Sequence, residues 1–347
     1  MNLITLLFTI VLFCMGGGWS VLNAAKIDGQ TSVVIKSSSH NFDGDDPGTG
    51  TSPLDGVGAL GAVWFQNGFT LYDDPSPADT QISIVFPVNG TITMNGGTLK
   101  LLHDLTLGSD VLLSGTGSLK GEGNVLKLSN DLTYDTNTLT VATSIILDGA
   151  NHQFVLAAGG TLSVGASQTL TLKNMDFVWL GTLSMGAGST LVLDNVRMHM
   201  NSDETLSNCS VIVKNESEIH GANGSSNTVL TYTSDATVGR SFSISADSML
   251  SLSDGVTVKY GGTEVDRFVF TDATSRLTLV GATLETTVAN TDLKKGVIWA
   301  DNHSYILGSG SGNFDLGGSG TDDLDLKIMA GATIDFSGGS NDYLNTQ

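Results

Sequence analysis

Chemistry on this chain has to come chiefly from carboxylates. The 347 residues hold 35 acidic side chains, 29 Asp and 6 Glu, against 15 Lys and Arg. Clustered carboxylates beside an arginine or lysine could bind calcium or run acid–base catalysis on a polysaccharide. Arginine is confined to Arg197, Arg240, Arg267 and Arg276. Asp43, Asp45 and Asp46, in FDGDDPG, resemble the opening of a calcium loop and are the candidate metal ligands. Such a loop ends in a carboxylate at its twelfth position. Counted from Asp43 that place is Leu54, with Asp55 one residue late, so a solvated turn competes with the calcium reading. Calcium is the one cofactor to which any residues point.

Other reactive types are scattered. The histidines at 40, 103, 152, 199, 220 and 303 show no ligand spacing, and no Ser–His–Asp set can be assigned from chain order. No glycine-rich segment follows a strand and opens a helix, as a phosphate loop requires. Trp179 and Trp299 are candidate sugar-stacking platforms, with core packing the competing reading for Trp179. No catalytic residue is therefore assigned. The formal charge of −20 argues against nucleic acid and anionic lipid as partners.

These residues sit in an unusual texture. Leu, Val, Ile and Thr come in short bursts between Gly, Asn, Asp and Ser, and glycine alone numbers 43. Aspartate favours turns where glutamate favours helices, so the acid imbalance points to many short strands and many turns. Leu3 to Met15 reads LITLLFTIVLFCM, which suits the apolar core of a signal peptide; residues 1–25 are expected to direct export. Of the two cysteines, Cys14 falls in that segment, and Cys209 reads as a small core residue. All five prolines lie between Pro47 and Pro87, so residues 26–87 are read as a cap or link ahead of the repeats.

The repeat is clearest from Gly160 to Asn201. GTLSVGASQTLTLKNMDFVWL is followed at once by GTLSMGAGSTLVLDNVRMHMN, with 10 of 21 positions identical. A Thr-Leu or Ser-Leu pair recurs from Thr98 through Ser118, Thr138, Thr161, Thr182 and Thr205, at steps of 20 to 23 residues. Within each unit the apolar positions lie two apart: Leu162 and Val164, Leu170 and Leu172, Met175 and Phe177. A period of two means one face in and one face out. Three such strands per unit make one coil of a parallel β-helix, and stacked coils bury a continuous column. The fold class expected is all-β, a single-stranded parallel β-helix of about ten coils of roughly 21 residues over 88–336, with a tail at 337–347. Asn174, Asn195 and Asn215 fall at equivalent turns and are expected to form a structural ladder. Lys173, Asp194 and Lys214 stack beside them in alternating charge.

The Gly-Thr-Leu steps, the coil length and the Asn ladder resemble the pectin-lyase-like superfamily of right-handed parallel β-helices and the passenger regions of secreted adhesins. That resemblance implies handedness and a carbohydrate connection. The family's hydrolases carry Asn-Thr-Asp, a paired aspartate, His-Gly and Arg-x-Lys in order; here only His220-Gly221 matches, without the preceding pieces or the Arg-x-Lys. The functional expectation is an exported, non-enzymatic, structural or adhesive protein, secreted or at the cell surface. Its partner would be a glycan, another surface molecule or itself, with no membrane contact beyond the export signal. The alternative is a polysaccharide lyase or glycoside hydrolase of the same fold.

Overall fold

Leu162 and Leu183 lie side by side on adjacent parallel strands, as do Thr161 and Thr182. The same 21-residue offset runs along the next strand pair, from Leu170 opposite Leu191 to Trp179 opposite Met200. Leucines one repeat apart thus meet in one interior, and the chain winds as a parallel β-solenoid of about eight turns. The computed structural model describes residues 96–335 apart from short segments (97, 102–103, 108–110, 222–227, 235–238, 263, 265, 289–290, 302, 309–313 and 317–323), and before them the backbone of seven strands between Ala25 and Met94. No helix occurs among the described residues.

Strand Thr169–Trp179 shows how one coil is built. Leu170, Leu172, Met175, Phe177 and Trp179 point inward and are buried. The alternation skips one place at Asn174, whose φ is 48°. A left-handed residue bends the strand there and restarts the in–out pattern on the next face. Asn adopts that conformation at lower cost than most residues. Asn195 (φ 57°), Asn208 (58°), Asn215 (53°), Asp247 (53°) and Asp254 (54°) do the same at other corners.

Glycine in the Gly-Thr-Leu step has a different cause. A Cβ on Gly181 would come within 3.0 Å of the carbonyl oxygens of Ala157 and Gly160 in the coil before it. The backbones pass too close there for a side chain.

The structure has about eight turns against the expected ten, and the later coils lengthen. Val211 pairs with Phe242, 31 residues on, and Met249 with Arg276, 27 on. The extra residues lie between strands, so the core column continues unbroken through Leu250, Leu277 and Ile298. The Thr-Leu marker also slips: Ser118 stands opposite Thr140, not Thr138, and Thr205 belongs to a separate six-stranded sheet. The segment 26–87, read as a cap, contributes strands such as Ala62–Phe65 and Thr70–Asp73, which pair in parallel with Gly90–Met94 and Thr98–Lys100.

Candidate functional site

One inserted residue borders a groove on the described part of the solenoid. Asp194 pairs with Lys214, yet three residues later Arg197 pairs with Glu218, so the second strand carries one residue more over this stretch. Ser217 is thereby turned inward, at the place Val196 fills one coil earlier, and is 2% exposed. Its hydroxyl accepts the Val196 N–H at 3.2 Å and lies 3.2 to 3.3 Å from the carbonyls of Lys214 and Leu193, to one of which it donates. A buried hydroxyl bonded in this way escapes the desolvation cost of an orphan.

Beside this irregularity opens a groove of about 420 Å³. Asp176, Arg197 and Glu218, consecutive across three coils, line it together with Asn151, Asn195, Glu216 and Ser251. Met249 supplies apolar surface. Arg197 Nε lies 3.5 Å from Glu218 Oε2, an exposed ion pair of the kind that contributes little to stability. The column continues past the groove in strict register: Glu218 opposite Ser251, Ser251 opposite Thr278, Thr278 opposite Trp299.

The adjoining outward column holds Val178, His199, His220 and Ser253. The His199 and His220 rings stack with centroids 4.9 Å apart and planes 9° from parallel. His220 Nδ1 lies 2.8 Å from Ser253 Oγ and 3.1 Å from Asp254 Oδ2. Its Nε2 sits 2.9 Å from Glu218 Oε2, but without the alignment of a hydrogen bond. Burial, and then the neighbouring His220, push the His199 pKa below the ordinary imidazole value. Among the described residues no group of three His, Cys, Asp or Glu side chains is arranged to hold a metal ion.

The residues singled out from sequence are distributed as follows. Asn195 Nδ2 donates to Asn174 Oδ1 at 3.0 Å, and Asn174 Nδ2 to Asp148 Oδ1 at 3.3 Å. Asn215 Nδ2 donates instead to Asp194 Oδ1. Trp179 is buried and donates its indole N–H to the Gly181 carbonyl at 3.0 Å, whereas Trp299 faces outward and is 39% exposed. Cys209 is buried in the core. Asp43, Asp45 and Asp46 lie outside the described residues. Sequence reasoning passed over the His199–His220 stack, although the 21-residue interval between them, one coil, was the signal that would have found it. Ser253 and Asp254 arrive at the same place from a later, longer coil, and no fixed spacing betrays them.

Comparison with known proteins gives no match: no protein family, no curated protein and no solved structure aligns with the chain.

Proposed function

We propose that the chain is an exported, non-enzymatic β-solenoid that acts outside the cell or at its surface as a structural or adhesive rod. The observation carrying this reading is the parallel strand register, which builds lateral faces where outward side chains repeat at the strand spacing of about 4.8 Å. Such faces suit many weak, evenly spaced contacts with an extended partner. Apolar leader Leu3 to Met15 and the −20 charge support the extracellular setting. We assign the winding to the right-handed, pectin-lyase-like type on its Gly-Thr-Leu steps and asparagine corners. The decisive experiment applies labelled full-length protein to intact cells and to an immobilised glycan panel. Saturable retention supports the adhesive reading, and absence of binding to either surface sinks it.

One observation favours a second reading, a polysaccharide lyase or hydrolase: the groove combines Asp176, Glu216 and Glu218 with Arg197. The proposed calcium loop at Asp43, Asp45 and Asp46 belongs to that alternative, on spacing alone. Polysaccharide turnover that disappears on chelation, or in Asp176→Asn, would displace the non-enzymatic reading.

A further inference from the structure

We infer that the groove and the column continuing it to Trp299 form a binding track for an uncharged glycan chain. This deepens the adhesive reading and rests on it for the kind of partner. Asp176, Arg197, Glu218, Ser251, Thr278 and Trp299 occupy one outward register position on successive coils. At the parallel strand spacing this row extends about 24 Å, the scale of a short oligosaccharide.

Its chemistry runs from charged to aromatic. Carboxylates and a guanidinium at one end can accept from and donate to sugar hydroxyls, and Arg197 lies beside Glu218 there. Ser251 and Thr278 add neutral hydroxyls in the middle. Trp299, among the few exposed large apolar side chains of the described residues, offers a flat face for the C–H side of a pyranose at the other end. Met249 gives the groove an apolar component without competing hydrogen bonds.

Electrostatics excludes one ligand class, anionic chains. Asp176, Glu216 and Glu218 outnumber Arg197 in the groove, on a chain of net charge −20. A uronate or sulfated chain would be repelled both locally and at long range. An uncharged chain meets neither penalty and can use every polar group in the row.

Titration calorimetry on the full-length chain with neutral hexaoses of glucose, mannose, xylose and N-acetylglucosamine tests the proposal. Oligogalacturonate and an amine-bearing chitosan hexamer serve as contrasting arms. At least one neutral series should bind, with affinity rising from dimer to hexamer. Trp299→Ala should weaken the hexamer by about tenfold or more while leaving the dimer less affected, as loss of an aromatic anchor does. Arg197→Ala should weaken it too, and an unchanged melting curve for Trp299→Ala would show that the fold is intact. Affinity independent of chain length, or binding untouched by Trp299→Ala, overturns the track. Binding of the chitosan hexamer alone also overturns it, because that outcome describes a site for cations. Retention on cells that is unchanged in Trp299→Ala and Arg197→Ala would leave the adhesive reading standing and remove the track. Hexamer binding without cell retention would do the reverse.

Discussion

Gly181→Ala discriminates sharply, because the stacked and unstacked arrangements predict opposite signs. The backbone φ of Gly181 lies outside the left-handed region, so alanine is conformationally allowed there. In an unstacked strand the substitution would stabilise the protein by roughly 0.4–1 kcal/mol, through the lost freedom of the unfolded chain. In the solenoid the new methyl falls within 3.0 Å of the Ala157 and Gly160 carbonyl oxygens, and these are backbone atoms that cannot swing aside. Overpacking of this kind costs about 1–3 kcal/mol, which exceeds the entropic gain. The expected result is therefore a net loss of about 1–2 kcal/mol on those two principles. Gly123→Ala is the control: Gly123 has φ +86° and nothing within 4 Å of its hypothetical Cβ. Its cost should be the conformational one alone, about 1 kcal/mol. Urea titration followed by far-ultraviolet circular dichroism reads both as midpoint shifts at constant slope. A raised midpoint for Gly181→Ala would refute the close approach of these coils, and with it the stacking argument.

Three further outcomes follow from particular contacts. Ser217→Ala leaves the Val196 N–H without its partner in the core and should cost about 1–3 kcal/mol, read from the same titrations. His199 has a folded-state pKa below its unfolded one, so the unfolded chain binds the extra proton first. The stability held by neutral His199 is fully present above the ordinary imidazole value of about 6.5 and declines as pH falls through the lowered value. The wild-type melting temperature should accordingly drop more than that of His199→Gln on acidification through this window; parallel drops would contradict the assignment. Cys209, 1% exposed, should resist a thiol reagent in native buffer and react fully in denaturant. Rapid native labelling would place it outside the core.

The fold was legible where the repeat was undisturbed. In Gly160 to Asn201 both the period of two within strands and the period of 21 between them are intact, and the paired registers follow directly. Counting failed later, because residues added between strands change coil length without changing the inward pattern of Leu250, Leu277 or Phe242. A slip of two residues near Thr138 was invisible for a related reason: Gly117 and Leu139 share an inward column, and small and large residues there do not look alike in sequence. The groove was less legible still. Its side chains come from several coils, and it opens beside a single inserted residue between Lys214 and Glu218. An insertion of one leaves almost no mark on composition, yet it reverses which side chains face the core.

The matched pairing of Leu162 with Leu183 and of Leu170 with Leu191 bears on how such a chain changes length over evolutionary time. Duplicating one whole 21-residue unit here leaves each flanking layer against the same apolar surface as before, and deleting one still sets leucine against leucine at these positions. Gene-level gain or loss of a unit is thus close to neutral for folding, while the distance between the two ends of the molecule moves in increments of one layer. Lineages descending from a common ancestor can be expected to differ by integral numbers of layers, with growth concentrated in this most regular stretch.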